Sequence, residues 1–272
     1  MKKKIIRIAI TGAYGRMGSH LIKNIKKFNN IVLKLLIINN TDQKIINNNN
    51  IIISNEIEKH MNQFDVLIDF STPQSSLRYL KICHKNNKNI VIGTTGFKKK
   101  ELYQIKKYSN DIGIILSSNF SMGINIIAQI LKSSAQLFDD SYDIEILEEH
   151  HNKKLDSPSG TALTLGKIIA KNKKWDFNSC QEYRKNQLNQ ARQKKKIGFS
   201  IIRGGNIVGN HKIMFINSGE KITISHQAYN RDTFSIGAIK SAIWLIKKKS
   251  GLFNMMDVIN DIELDHKNND ES

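Results

Sequence analysis

The sequence predicts an α/β protein: a doubly wound parallel sheet of the Rossmann type, joined to a second α+β region whose sheet is mostly antiparallel. Three observations carry this. Short β-branched runs alternate with helical segments up to about residue 122. A glycine-rich turn directly follows the first run. Beyond it the pattern changes to one long helix and a group of strands joined by Gly-containing turns.

In chain order, residues 5–10 form a first strand, and 19–28 carry Leu21, Ile22, Ile25 and Phe28 at helical spacing. Residues 31–38 are apolar without alternation, as a strand buried on both faces requires. Further strands are expected at 66–70, 90–93 and 112–116, with helices over 75–85 and 98–108 between them. Then come a helix over 123–137, a strand over 142–147, a polar His-rich loop and a helix from about 161 to 171. Residues 173–196 have no clear period and many Lys, Asn and Gln, and read as a loop or mobile insertion. Residues 197–203, 211–217 and 221–227 read as antiparallel strands. The last helix, 235–248, presents Ile236, Ile239, Ile243, Trp244 and Ile246, and the charged tail after Asp261 is expected to fray. No internal repeat interrupts this plan.

Composition narrows the function classes. With 40% apolar residues among 272, the chain can bury a real core. Its longest apolar runs are far short of a membrane span, and no long apolar h-region or small-residue cleavage site follows the basic start at Lys2, Lys3 and Lys4. A cytoplasmic protein with no membrane partner is therefore expected. Cys83 and Cys180 cannot by themselves form a disulfide framework or a four-ligand zinc site, and neither has a CxxC partner. Lys and Arg number 42 against 24 Asp and Glu, a net charge of +18. The lysines are scattered in short runs, without interleaved aromatics or a zinc-finger spacing, so they read as solvated surface and no nucleic-acid partner is expected. A basic field would still draw in an anionic substrate.

Two clusters can carry chemistry. Gly12-x-x-Gly15-x-x-Gly18 stands between a strand and a helix, where glycines permit a tight turn, backbone approach to a pyrophosphate and close helix packing. The commoner pattern would need glycine at Tyr14 and Met17, so this is a variant spacing. Arg16 adds a cation, but the acid that usually ends the second strand is replaced by Ile38-Asn39-Asn40. The second cluster runs from Glu148 through His150, His151, Lys154, Asp156, Ser159 and Gly160 to Thr161. Histidine suits proton transfer near neutrality. Lys154 and a Ser159/Thr161 helix start form a pocket for an anion. Together they describe a site where a carboxylate-bearing substrate receives a proton. Metal binding or plain surface polarity are the alternatives, although adjacent histidines lack the i, i+4 spacing of a helical zinc pair.

These residues also carry a resemblance. The Gly12–Gly18 loop and the stretch Glu148-x-His150-His151-x-x-Lys154-x-Asp156-x-Pro158-Ser159-Gly160-Thr161-Ala162 resemble the dihydrodipicolinate reductases of lysine and diaminopimelate biosynthesis. Asp69-Phe70-Ser71, Gly93 to Phe97, Ser118 to Ser121, Arg203 to His211 and Ser250 to Phe253 follow in family order through essentially the whole chain.

The resemblance implies a two-domain, usually tetrameric reductase that uses NADH or NADPH, needs no metal and acts on a small dicarboxylate. It implies His150 as the acid/base group and Lys154 as the second catalytic residue, with His151, Ser159, Gly160 and Thr161 holding substrate carboxylates. Gly12, Ala13, Tyr14, Gly15, Arg16 and Met17 would bind the cofactor. Gly93, Thr94 and Thr95, with Ser117, Ser118, Asn119 and Phe120, would line its nicotinamide end. Residues 1–121 and 231–272 are expected to form the dinucleotide-binding domain and 122–230 the substrate-binding and oligomerisation domain, with hinges near Ser121 and Arg231. Another two-domain dehydrogenase of an amino-acid precursor is the alternative, and the His150–Thr161 signature argues against it. His211 and His226 are left without a role, while His20, His60, His84 and His266 read as surface residues.

Overall fold

A computed structural model describes residues 5–38, 50–183 and 191–261. The chain divides into two compact units, one of Met1–Met122 with Arg231–Ser272 and one of Gly123–Asn230.

The first unit is built on a seven-stranded parallel sheet. Its strands are β1 (Ile6–Thr11), β2 (Ile31–Ile37), β3 (Ile52–Ser54), β4 (Val66–Asp69), β5 (Asn89–Ile92), β6 (Gly113–Leu116) and β12 (Gly251–Phe253), in the spatial order β12-β6-β5-β4-β1-β2-β3. All four residues of β4 are buried, as expected for a strand covered on both faces. One face packs against α1 (Arg16–Ile25) and α7 (Asp232–Leu245), the other against α2 (Pro73–Lys85) and α3 (Lys99–Tyr108). Local chemistry sets the helix starts. Thr72 Oγ1 accepts from Ser75 N ahead of Pro73, and Glu101 Oε2 accepts from Lys98 N at 2.6 Å.

Two helices differ from the sequence reading. The first begins at Arg16, three residues earlier than expected, because Gly15 serves as its N-cap. The last begins at Asp232 and ends at Leu245, and it is buried on several sides rather than along one stripe. Gly237 lets it lie against the backbone of Phe120, whose carbonyl oxygen would sit 1.8 Å from a Cβ there. Asn24 of α1 donates to Ser235 of α7 at 2.9 Å, which satisfies polar groups buried between two apolar helices.

In the second unit, α4 (Met122–Ser134) ends in a 3₁₀ turn, Ala135–Leu137. There follow β7 (Asp143–His150), α5 (Gly160–Asn172), α6 (Phe177–Cys180), β8 (Gln181–Glu182), β9 (Ile197–Arg203), β10 (Gly209–Ile216) and β11 (Lys221–Ala228). The sheet order is β11-β10-β7-β9-β8. β10 runs antiparallel to both neighbours, but β9 is parallel to β7 and β8, so the sheet is mixed and the expectation of an antiparallel β9 is corrected. The segment read as a loop from 173 also carries structure, in α6, β8 and a buried Cys180, while residues 184–190 lie outside the described residues.

Arg192 is the reason this segment docks. Its guanidinium meets Asp143 at 2.9 Å, Glu145 at 2.7 Å and Glu182 at 3.3 Å, and donates to the carbonyls of Ile144 and Lys196. Glu145 can reach it because Gly198 has no side chain: a Cβ there would lie 2.2 Å from the carboxylate.

Helix α1 meets the β1 turn at a similarly close approach. A Cβ on Gly18 would stand 2.2 Å from the carbonyl oxygen of Gly12 and 2.4 Å from that of Ala13, backbone atoms that have no room to retreat. Gly18→Ala is expected to destabilise the chain by about 1–3 kcal/mol, the usual penalty of overpacking, read as a lower urea midpoint with an unchanged slope.

Candidate active site

Strand order in the first unit reverses at β1, which has β4 on one side and β2 on the other. Ligands of doubly wound sheets bind outside the carboxyl ends of strands at such a point. Here those ends enclose a cavity of about 340 Å³ lined by Gly12, Ala13, Tyr14 and Gly15 from the β1 turn, Ile37 and Ile38 from β2, and Ser71, Thr72, Ser75 and Tyr79. Gly12 has φ +62°, and a Cβ there would lie 2.7 Å from the carbonyl oxygen of Phe70, so both the turn and the close approach call for glycine. Arg16 and Met17 form the first turn of α1 beside this cavity without lining it. Arg16 is exposed, and no acidic residue occupies that turn. Burial and the Arg16 charge together hold Arg231 below its ordinary value, which marks a second guanidinium near the loop that the sequence reading missed. A cation-flanked helix N-terminus behind a glycine turn fits a pyrophosphate.

The other proposed cofactor residues follow β5 and β6 along the same edge of the sheet. Gly93 makes room for the Phe70 ring, which would lie 2.1 Å from a Cβ. Thr94 is buried, and its hydroxyl meets Ser71 N, Ser76 Oγ and Asp69. Thr95 and Ser118 are exposed. Ser117 donates to the carbonyl of Asn119, whose own side chain accepts from Ser121 N, and Phe120 is buried against Phe70. None of these seven lines the cavity. The network centres on Asp69, a fully buried carboxylate that accepts from the hydroxyls of Thr11, Ser71, Ser76 and Thr94. Ile38 stands in the cavity wall where an acid was looked for, and among the described residues no carboxylate lines the cavity. Asn39 and Asn40 lie outside the described residues.

In the second unit, β7 alternates, and its buried face reads Ile144, Ile146, Glu148, His150. The apolar stripe thus becomes a polar pair at the strand's carboxyl end. His150 is the last residue of this strand, not part of a loop as expected. Glu148 is completely buried and accepts hydrogen bonds from His150 Nδ1, from Arg203 at 2.7 Å and from Ser159 N at 3.1 Å. Burial alone would raise its pKa, but the bonds from His150 and Arg203 take it down to about 2.

Ser159 is buried as the N-cap of α5: its hydroxyl accepts from Ala162 N at 3.1 Å and meets His211 Nε2 at 3.2 Å. Gly160 and Thr161 form the first turn of that helix, and a Cβ at Gly160 would meet open space. Lys154 pairs with Asp156 at 2.8 Å, and the half-buried His151 accepts through its carbonyl from Lys154 N. The His150 and His211 rings meet edge to face at 5.2 Å. Burial, reinforced by the His150 charge, pushes His211 down to about 3. Glu148, His150 and His211 bring ligand atoms within 4.8 Å of one another, but Arg203 already supplies the cation for this carboxylate.

Sequence reasoning gave roles to His150, Lys154 and the α5 start, and it quoted Glu148, Arg203 and His211 within the matching segments without giving them one. The period-2 continuation of Ile144 and Ile146 was the signal for Glu148.

Comparison with known proteins decides the family. Residues 6–120 match the family model "Dihydrodipicolinate reductase, N-terminus" and residues 123–259 match "Dihydrodipicolinate reductase, C-terminus". The chain belongs to the dihydrodipicolinate reductase family. Family members named 4-hydroxy-tetrahydrodipicolinate reductase include one from Buchnera aphidicola subsp. Baizongia pistaciae, 46% identical over 271 residues, covering 96% of this chain and 100% of that one. Another, from Buchnera aphidicola subsp. Acyrthosiphon pisum, is 48% identical over 268 residues, covering 95% and 99%. Among solved structures, a dipicolinate-bound dihydrodipicolinate reductase from Paenisporosarcina sp. TG-14 superposes with a TM-score of 0.77 at 26% identity, covering 92% of this chain and 97% of that one.

For this family member, acid should loosen the second unit. His211 and Glu148 both have depressed folded values, so their stabilisation is present above the unfolded values and is lost as pH falls. That window runs from about 6.5 towards about 3 for His211 and from 4.5 towards about 2 for Glu148. The melting temperature should decline on acidification from pH 6.5, and His211→Gln should flatten the upper part of that decline.

Proposed function

We propose that this chain reduces 4-hydroxy-tetrahydrodipicolinate to tetrahydrodipicolinate with NADH or NADPH, as a step of lysine and diaminopimelate biosynthesis. The observation that carries the reading is the buried Glu148–His150 pair, with Lys154 and the first turn of α5 close by in the chain, in a chain of this family. The glycine turn, its cavity and Arg16 support a dinucleotide in the first unit, with Gly93 to Thr95 and Ser117 to Phe120 towards its nicotinamide. When bound, the cofactor supplies the hydride. The product lacks the 4-hydroxyl of the substrate, so reduction with release of water also consumes one proton. His150 offers that proton from Nε2, the ring nitrogen that Glu148 does not hold. Lys154, His151 and the Gly160 and Thr161 backbone at the α5 N-terminus hold the substrate carboxylates, with Ser159 contributing through the cap. Lys154 must exchange its ion pair with Asp156 for one with the substrate.

The same reading takes the enzyme to be a cytoplasmic homotetramer. Ile202, nearly half exposed, and Leu147 and Met214 on the sheet face opposite the α5-packed core supply an apolar surface for self-association. No described helix is long and apolar enough to cross a membrane.

The direct test follows absorbance at the nicotinamide band with purified protein, cofactor and freshly made synthase product. Oxidation of the cofactor is expected, and its absence overturns the assignment. His150→Ala and Lys154→Ala should each slow turnover by roughly 10²-fold or more, and the lysine variant should also bind substrate less tightly. Near-normal rates in both variants would remove this site from the reaction.

Cofactor choice is the second measurable consequence. A neutral Ile38-Asn39 neither pairs with a 2′-phosphate nor repels it, so NADH and NADPH should be used within about tenfold of each other. Asn39→Asp should tilt steady-state kcat/KM towards NADH. A wild-type preference of about a hundredfold would mean that another residue reads the ribose.

A further inference from the structure

We propose that Glu148 is the positioning residue of His150, locking the imidazole with its proton on Nδ1 so that Nε2 alone exchanges a proton with the substrate. The proposal rests on His150 being the proton donor, as argued above, and adds the group that makes it one.

The geometry is specific. Glu148 and His150 are two residues apart on one strand and so share a face, and Nδ1 bonds the carboxylate directly. Glu148 has no contact with solvent, and no other acidic side chain bonds this imidazole among the described residues. Its second oxygen is taken by Arg203 and by Ser159 N, so the carboxylate cannot turn away from the ring. On the other edge of the imidazole, β10 carries a glycine: a Cβ on Gly209 would lie 3.0 Å from Nε2. One nitrogen is therefore held and the space beside the other is kept free.

The chemistry follows. Protonated imidazole carries hydrogen on both nitrogens. When Nε2 gives up its proton, the ring is left as the Nδ1–H tautomer with its bond to Glu148 unchanged, so neither loss nor recovery of the proton requires the ring to turn. Other charged and titratable groups surround the pair. On β7, Glu149 accepts from Asn210. On β9, Arg203 faces Glu148. His211 on β10 stands opposite His226 on β11. In the following loop Lys154 is paired with Asp156. His211 is kept neutral by burial, which leaves Glu148 as the anion in direct contact with the ring.

Two measurements decide the matter. In wild-type protein, nitrogen NMR of the His150 ring above its titration, assigned by loss of the signal in His150→Asn, should show the Nδ1–H tautomer. In Glu148→Gln, kcat should fall by about 10²-fold, and the alkaline limb of the kcat/KM profile should move to lower pH because the imidazolium has lost its anion. Dipicolinate binding should stay within about threefold, since the amide can still accept from Ser159 N. An Nε2–H tautomer in wild-type protein overturns the positioning role and leaves the assigned activity standing. So does a Glu148→Gln enzyme whose kcat and dipicolinate affinity fall together with the pH profile unmoved, which is the behaviour of a purely structural carboxylate. A fully active His150→Ala enzyme with the Nδ1–H tautomer present in wild type overturns His150 as donor, and this proposal with it. If Glu148→Gln does not fold, the wild-type tautomer alone gives the answer.

Discussion

A carboxylate taken out of water costs several kcal/mol unless donors satisfy its oxygens, and that constraint organises both units. Asp69 meets it with four hydroxyls and no cation, drawing together Thr11 at the end of β1, Ser71 and Ser76 around the start of α2, and Thr94 after β5. Glu148 meets it with an imidazole, a guanidinium and a backbone N–H, drawing together the ends of β7 and β9 and the start of α5. In each case the chain segments that converge on the carboxylate are the ones that carry the residues proposed for the site. The loops are placed by the need to satisfy a buried charge, and their chemistry is built on that placement.

A second consequence concerns the two neighbouring imidazoles of the second unit. His150 and His211 pack edge to face within a largely desolvated pocket, where two positive rings would repel at short range. The structure resolves this by burying His211 against the Ser159 hydroxyl and giving the carboxylate to His150. Similar rings on adjacent strands thereby acquire different partners, and burial holds His211 well below the ordinary histidine range.

Much of the first unit was legible because a strand covered on both faces writes itself as a mostly apolar run, and β1, β2 and β4 to β6 do so, with Arg7 and Lys34 the charged breaks in the first two. The turn at Gly12 was legible because its φ and its distance to Phe70 exclude a side chain. What was not legible depends on partners distant in sequence. The polarity of β9 is set by its pairing with β7, more than fifty residues earlier, and no local pattern distinguishes parallel from antiparallel there. Residues 177–183 looked structureless because they are docked through Glu182 by Arg192, which two carboxylates from β7 also hold. In the site, the motif exposed His150 and Lys154. Arg203 and His211 enter from other strands, and Glu148, though inside the motif, showed no role of its own because it is also the next residue on a buried face.

The first unit is assembled from both ends of the chain, and this bears on how the protein is born. Strand β6 receives its neighbour β12 only when Gly251–Phe253 has been made, and the core beneath α1 lacks Ala238, Ile239, Ala242 and Leu245 until α7 emerges. All of Gly123–Asn230 is translated in between. At about 5–20 residues per second, a ribosome spends on the order of ten seconds on that interval. For that time the nascent amino-terminal half holds an open sheet edge and an uncovered apolar face, so the second unit, whose residues are contiguous, can complete its fold before the first.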